Sequence, residues 1–405
     1  MNPTTEEPQQ VLLHGMAHGG EAVGRLEDGR AVFVAGAIPG ERVLVRLTDL
    51  RKRWARAELV EILDPSEDRV TPPCRYAASC GGCQWQHIAL SRQRALKREI
   101  VQGQLRHLGG VQEDKVEETR FRGADDGFGY RNHATFAVDD EGRTAYHQSR
   151  GRQLVAIDSC PLLHPILREA HEALPRLPGL TRIELRAGIH TGQRLVMASG
   201  EVDEGPVEEA AARGVPLRGP GEGEITEMVG AEKFRISSKS FFQVNTEGAE
   251  LLTELVMEML EPAEGDQVLD AFAGVGLFTV PLARRVAQVW AVERSKAALR
   301  DLRWHAKGLP VHVVGTELER AFVQLPSRMD LVVADPPREG LGEDAVRALS
   351  RLRPRRLVLV ACDPASLARD LRRFLAEGAR LERVVPVDLF PHTYHVETVA
   401  LLQRG

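Results

Sequence analysis

From residue 267 onward short apolar runs alternate with helical patterns, and this rhythm constrains the fold more than anything else in the sequence. Apolar runs at 268–271, 289–293, 311–314, 331–335 and 357–361 read as buried strands, with helical segments beginning near Leu277, Ser295, Glu343 and Ser366. Strands separated by helices join through crossovers, which predicts an α/β fold with a doubly wound parallel sheet. Two further runs, 384–389 and 396–402, are joined by a loop alone, so the sheet is expected to finish with an antiparallel strand.

Open sheets of this kind bind ligands beyond the carboxyl ends of their strands. The first strand ends in Asp270-Ala271-Phe272-Ala273-Gly274-Val275-Gly276. Gly274 and Gly276 would let a cofactor approach the backbone, and Glu293 at the second tip can accept ribose hydroxyls. Position 279, where a dinucleotide fingerprint has its third glycine, is Thr279. Pyrophosphate is therefore disfavoured, and S-adenosylmethionine (SAM) suits the pattern better. Asp335-Pro336-Pro337-Arg338 closes the fourth strand with a carboxylate at the same rim, or is simply a rigid strand-to-helix turn. The fifth runs into Cys362-Asp363-Pro364, which puts a thiol at the rim and a proline in the first turn of the next helix. A buried structural cysteine is the plainer alternative. Upstream, Ser240-Phe241-Phe242-Gln243-Val244-Asn245 offers two rings and two amides before a helix.

At 405 residues the chain has room for two or three domains, and its net charge of -5 confines any nucleic-acid site to a local patch. No basic and apolar leader opens it and no run of 18 apolar residues interrupts it, so it is expected to be cytoplasmic and without a membrane span. Five cysteines in such a chain argue for metal binding or catalysis rather than disulfides.

Between residues 11 and 63 short strands at 11–13, 31–34, 42–47 and 57–60 are separated by Gly-Gly, Asp-Gly and Pro-Gly turns, which reads as a small β-barrel. Arg51-Lys52-Arg53-Trp54-Ala55-Arg56 surrounds one aromatic with four cations, a surface suited to phosphates and bases, or a solvated hairpin tip. Next, Cys74, Cys80 and Cys83 form C-x5-C-G-G-C, with Cys160 far downstream. Four thiolates can hold an iron–sulfur cluster or a zinc ion. Only one close pair is present, which favours the cluster over paired zinc knuckles, and unliganded core thiols remain the alternative. Gly81 and Gly82 would let backbone amides approach cluster sulfides, and His87 is a further candidate ligand. The helical segment 89–107 carries Arg92, Arg94, Lys97, Arg98 and Arg106 against Glu99 alone, a solvated face or, opposite an RNA, a source of salt-sensitive affinity. From Tyr130 hairpin patterns predict an antiparallel sheet, with 216–223 a loop.

Taken in order, these motifs resemble the RNA uracil-C5 methyltransferases, in particular the ribosomal RNA branch with a TRAM barrel and an iron–sulfur cluster. The likeness rests on the barrel pattern at Gly29-Arg30-Ala31-Val32-Phe33-Val34 and Pro39-Gly40-Glu41, the C-x5-C-G-G-C motif with Cys160, Phe242-Gln243-Val244-Asn245, Asp270 to Gly276, Asp335 to Arg338, Cys362-Asp363-Pro364, and His395-Val396-Glu397-Thr398. It implies a TRAM-like barrel over 1–64 and a central antiparallel β domain with a [4Fe–4S] cluster over 65–235, of which 89–125 packs on the catalytic part. A class I SAM methyltransferase domain over 236–405 completes the chain. It also implies Cys362 as nucleophile toward uracil C6 and Glu397 as the base that removes the C5 proton. Gln243, Phe272, Gly274, Gly276, Glu293 and Asp335 would hold SAM, Phe242 and Arg338 would face substrate, and Cys74, Cys80, Cys83 and Cys160 would ligate the cluster. With four cysteines so used, Cys362 is the one left for catalysis.

The implied substrate is 23S rRNA, with transfer RNA as the alternative. A cytosine-C5 enzyme, an exocyclic-amine methyltransferase and a non-catalytic iron–sulfur RNA-binding protein are the rival readings. Two departures from the family pattern stand out. Asp363 occupies the usual asparagine position, where an added charge would raise the thiol pKa unless paired. Leu277 and Glu317 stand where members often carry asparagine-type contacts to the cofactor.

Overall fold

The computed structural model describes residues 7–149, 151–201 and 203–404. Strands β1 (Gln9–Met16), β2 (Ala22–Arg25), β3 (Ala31–Val34), β4 (Arg42–Leu50) and β5 (Trp54–Asp64) close into a barrel in the order β1-β2-β3-β5-β4. Alternation points Val11, Leu13, Val32, Val34, Val43 and Val45 inward, and closure removes exposed strand edges. Strand β2 escapes the sequence pattern because Ala-Val-Gly-Arg holds only one β-branched residue beside a glycine, whereas the equally short β3 is Ala-Val-Phe-Val.

Helix α1 (Leu90–Gln104) runs into a π turn at Leu105–Gly109. Val101, Leu105, Val111 and Val116 join the core on one face of the carboxyl-terminal sheet. Most of the expected basic face of this helix is engaged within the protein. Lys97 is fully buried against Asp388, at 2.5 Å. Arg92 pairs with Glu99, Arg98 with Glu118 and Arg106 with Glu113, while Arg94 lies 4.1 Å over the Phe121 ring. Glu99 within the run and Glu113 and Glu118 beyond it pair with three of the five cations.

The middle of the chain contains β6 (His133–Val138), β7 (Thr144–His147), β8 (Leu154–Ala156), helix α2 (Pro165–Glu172), β9 (Leu180–Gly188), β10 (Gln193–Gly200), helix α3 (Glu204–Ala212) and β11 (Leu217–Arg218). Its sheet order is β11-β10-β9-β6-β7-β8, antiparallel except for the β10–β11 pair. Within the expected loop 216–223, two residues thus add a parallel edge, a pairing too short to carry a sequence signal. Hairpin β12 (Glu224–Val229) and β13 (Glu232–Ser237) stays out of this sheet. Its Ile225, Val229, Phe234 and Ile236 pack with Leu252 and Val256 of helix α4 (Thr246–Leu260) in the carboxyl-terminal core. The expected division between 235 and 236 is therefore corrected: it would cut β13, and the hairpin buries its apolar face in the core of the carboxyl-terminal domain.

The carboxyl-terminal part alternates β14 (Gln267–Asp270), α5 (Thr279–Ala283), β15 (Gln288–Val292), α6 (Lys296–His305), β16 (Val311–Val314), α7 (Leu318–Ala321), β17 (Leu331–Ala334), α8 (Gly342–Arg351), β18 (Arg356–Ala361), α9 (Pro364–Ala376), β19 (Ala379–Val387) and β20 (Glu397–Arg404). The sheet order is β16-β15-β14-β17-β18-β20-β19, with β20 antiparallel to both neighbours. The chain's last strand thus lies inside the sheet and β19 forms the edge. Chain order reverses between β14 and β17, the switch point where a crevice opens above strand tips. Helix α9 shows why the site holds its shape. Asp363 caps it, Pro364 fills its first turn, and Leu367, Leu371 and Phe374 are buried, each contributing about 1.5–3 kcal/mol. No helix among the described residues is long and apolar enough to cross a membrane.

Candidate active site

At the tip of β18 the register decides which groups meet. Ala361 pairs with Thr398 across the antiparallel ladder, so Cys362, just beyond β18, and Glu397, the first residue of β20, are the next residues outward on adjacent strands. Cys362 is half-buried and Glu397 is only 5% exposed. Burial, reinforced by the Asp335 carboxylate and opposed by Arg338, pushes the Glu397 carboxyl up to about 8. Burial also pushes the Cys362 thiol up to about 11, with Glu397 and Asp335 acting in the same direction. The Arg338 guanidinium acts on this thiol in the opposite sense and favours the thiolate. Arg338 is held from behind by His395 Nδ1 at 3.3 Å. Burial and Arg338 together lower the His395 pKa to about 4, leaving the ring neutral and able to accept that bond.

Asp363 is not a loose charge beside the thiol. Its Oδ1 accepts the Ser366 amide at 2.7 Å and its Oδ2 meets His18 Nε2 at 2.9 Å. These bonds, led by the one from His18, hold its carboxyl down to about 2.

Across the switch point, Gly274 takes φ +55°, and a Cβ there would meet no atom within 4 Å, so the loop stands open on that side. Its amide donates to Glu293 Oε2 at 2.9 Å, while Glu293 Oε1 accepts the Ser295 amide. The second-strand acid therefore shapes the glycine loop as well as bordering the crevice. Gly276 takes φ +106°, and a Cβ there would stand 3.0 Å from Leu302, so only glycine fits. Phe272 is partly buried against the core. Thr279, which breaks the dinucleotide pattern, donates its hydroxyl to Asp270 Oδ2 at 2.6 Å. Asp270 is fully buried and its other oxygen has no hydrogen-bond partner. Burial pushes its carboxyl up to about 7, Glu293 adding to the effect and Thr279 opposing it. Burial and Asp270 push Asp335, at the tip of β17, to about 7 as well. Asp270, Asp335 and Glu397 thus form a row of mutually repelling acids.

Gln243 is buried beside the crevice-side end of α4, its carbonyl accepting from Asn132 Nδ2 at 3.0 Å. Phe242 does not face the crevice: it is 9% exposed and packs on Phe234 with ring centroids 5.9 Å apart. The expectation that Phe242 meets substrate is corrected, because its ring is buried on Phe234 in the core. The exposed ring is Phe241, 70% exposed. Sequence reading gave no role to Phe241, His18 or His395. The doubled phenylalanine was a signal for the first, but nothing local marks His18. Leu277 is buried in the core, and Glu317 lies within 3.9 Å of Arg294 and Arg320 at the surface.

Away from the crevice, Cys74, Cys80, Cys83 and Cys160 line one cavity together with Arg131 and Tyr146. Among the described residues no three metal-ligating side chains converge on a single ion. The thiols ring a space rather than meet at a point about 2.3 Å from each sulfur, as a zinc knuckle would require. Burial pushes Cys80, Cys83 and Cys160 up, Cys83 to about 12, while Arg131 acts in the opposite sense on all three. Arg131 Nε is buried without a hydrogen-bond acceptor. Four thiols, a guanidinium lacking an acceptor and a shared cavity fit an anionic cluster in donor chemistry. Gly82 donates its amide to Cys80 Sγ at 3.3 Å, but the Gly81 amide is committed to His147 and is not free for a cluster sulfide. His87 does not line the cavity, and burial lowers its pKa to about 4.

On the barrel, Arg51, Lys52, Arg53 and Arg56 are exposed, with Arg51 and Arg56 lying 5.9 and 5.5 Å from the Trp54 ring centre. Arg51 is also paired with Asp49.

Comparison with known proteins agrees with this architecture. The TRAM domain family matches residues 6–60, and the tRNA (Uracil-5-)-methyltransferase family matches 227–307 and 322–405. An RNA methyltransferase of Gloeobacter violaceus is 35% identical over 98% of this chain and 96% of its own. A 23S rRNA (uracil(1939)-C(5))-methyltransferase RlmD of Alkalilimnicola ehrlichii is 32% identical over 98% and 97%. Among solved structures, the Pyrococcus abyssi tRNA (uracil-54, C5)-methyltransferase in complex with S-adenosyl-L-homocysteine superposes with a TM-score of 0.75. It covers 97% of this chain and 100% of its own at 24% identity, a likeness of fold. With a TRAM barrel, a SAM-type sheet and relatives of this identity over nearly its whole length, the chain belongs to the RNA (uracil-5)-methyltransferase family.

Proposed function

We propose that this enzyme forms 5-methyluridine in 23S rRNA with Cys362 as nucleophile and Glu397 as base. The observation that carries the reading is the pairing of a thiol and a buried carboxylate on adjacent strand tips. Uracil C5 is a poor nucleophile until a group adds at C6. The Cys362 thiolate forms a bond to C6, the negative charge passes to the ring oxygen, and C5 becomes nucleophilic. SAM supplies an electrophilic methyl group for C5. Glu397 then takes the C5 proton, the sulfur–C6 bond breaks, and the ring double bond returns. A carboxyl pushed up to about 8 is a stronger base than an ordinary glutamate, which suits this step near neutral pH. Arg338 favours the thiolate and stands where it can steady the ring oxygen.

Gln243, Phe272, Gly274, Gly276, Glu293 and Asp335 would hold SAM. A bound cation beside Asp270 and Asp335 would draw their raised pKa values back down and favour their charged forms. Phe241, exposed beside Gln243, offers a face on which a base removed from its helical stack can rest. Cys74, Cys80, Cys83 and Cys160 would ligate a [4Fe–4S] cluster, whose chemistry here would be to tie the 74–83 segment to the chain at Cys160, since the methyl transfer needs no electron. The barrel, residues 1–64, would grip RNA in the cytoplasm. The ribosomal assignment rests on the RlmD relatives, which span nearly the whole chain.

In RNA containing 5-fluorouracil, fluorine replaces the proton that Glu397 removes. Wild-type protein with SAM is expected to form a denaturation-resistant adduct with such RNA, and Cys362→Ala to form none. Full methyl transfer by Cys362→Ala would instead indicate an exocyclic-amine enzyme. RNA binding without transfer by the wild type would indicate a binding protein.

A further inference from the structure

One barrel turn contacts Asp363, the residue after Cys362, and Tyr394, three residues before Glu397. In the turn at residues 17–21, Ala17 donates its amide to the Glu21 carbonyl at 2.8 Å and Gly20 donates to the Ala17 carbonyl at 2.9 Å. Gly20 takes φ +79°, and a Cβ there would fall 2.7–2.9 Å from three atoms of Tyr394. The turn is therefore seated against the approach to Glu397. The Gly20 carbonyl also accepts Trp85 Nε1 at 3.1 Å, which ties the turn to a fully buried side chain. Tyr394 packs on His395 at 4.3 Å between ring centres, and His395 holds Arg338. On its other side the turn presents His18 to Asp363, the residue directly after the nucleophile.

The geometry points to His18 as a positioning residue for the nucleophile, acting through Asp363 and making the barrel part of the active site. Cys362 already faces Glu397 and Asp335, with Arg338 as the opposing cation. An unpaired carboxylate at 363 would add a further negative charge next to the sulfur. Asp363 Oδ1 is occupied by its helix cap, so Oδ2 is the oxygen that needs a partner, and His18 supplies it from 345 residues away. The inference rests on Cys362 as the nucleophile.

Removing His18 frees one side of Asp363 and disfavours the thiolate. A rise of about one unit in the thiol pKa leaves about tenfold less thiolate at neutral pH. In the full-length protein, His18→Ala is expected to slow iodoacetamide alkylation of Cys362, monitored by peptide mass spectrometry without RNA, by about tenfold. kcat for methylation should fall with it, while KM for RNA changes less than about twofold. His18→Gln keeps a neutral donor and should lie between Ala and wild type. Asp363→Asn retains the helix cap without the charge. Combined with His18→Ala, it should restore most of both rates. A His18→Ala protein with altered KM but normal alkylation and kcat would make His18 an RNA contact and overturn the proposal. A double variant no faster than His18→Ala would also overturn it, reducing the pair to simple domain docking. Cys362→Ala measured in parallel separates the two readings. If that protein still methylates RNA the nucleophile assignment falls, whatever His18 does; if it is inactive, the alkylation rates judge His18 alone.

Discussion

Glu397 and Cys362 are residues whose chemistry depends on what surrounds them. A glutamate pushed up to about 8 is mostly protonated at pH 7 and loses its proton as the pH rises through that value. A base must be deprotonated to act, so kcat/KM is expected to climb between about pH 7 and 9 rather than level off near the usual carboxylate range. A profile already flat from pH 6 would remove Glu397 from that role. Glu397→Gln should lower kcat by about 10²–10⁴-fold and leave RNA trapped on Cys362, since addition still proceeds but proton removal does not. Unchanged turnover in that variant would equally rule it out. Asp363 shows how a single position can be misjudged from sequence: beside the thiol it looks like a handicap, and pairing with His18 removes the handicap.

At the scale of elements, the link between α1 and the loop before β20 is the most demanding contact. Lys97 is fully buried, donating to Asp388 at 2.5 Å and to the Phe390 carbonyl at 3.0 Å. Asp388 Oδ2 has no other hydrogen-bond partner. Burial lowers the Lys97 pKa and Asp388 raises it again, so the pair survives only together. Lys97→Met should cost about 3–5 kcal/mol, read as a lowered urea midpoint, because it strands a buried carboxylate. Lys97→Met with Asp388→Leu should recover most of that loss. Equal midpoints for the single variant and wild type would show that the pair holds nothing together. This contact was not legible in advance: Lys97 sits among four arginines and reads as one more solvated cation until a residue 291 positions away is brought to it.

For the molecule as a whole, the question is which surface meets RNA. Three cations of the α1 segment are paired and Lys97 is buried, and at the barrel tip Arg51 and Arg56 pair with Asp49 and Glu21, which leaves exposed Lys52 and Arg53 beside Trp54 as the better electrostatic footprint. Exchanging Lys52 and Arg53 for Glu should weaken RNA binding and reduce the salt dependence of log K by about 0.7 for each phosphate no longer neutralised. A slope equal to that of wild type would move the RNA elsewhere. Protein purified without oxygen should carry about four irons per chain, the content of one [4Fe–4S] centre. Stoichiometric zinc without iron would reject the cluster.

Strand–helix alternation, the glycine loop at 274–276, the Asp-Pro-Pro turn and the lone thiol after β18 are all readable along the chain, because local periodicity and turn chemistry encode them. Local pattern could not say which of two adjacent phenylalanines is buried, that β20 enters between β18 and β19, or that most of the expected basic helix face is engaged within the protein. Nor could it bring a barrel histidine to the residue after the nucleophile. Those outcomes depend on contacts between residues far apart in sequence, and on the charge and burial that only packing creates. The amino-acid order thus determined the elements and the reactive groups, while the tertiary structure decided which of those groups face one another and in what protonation state.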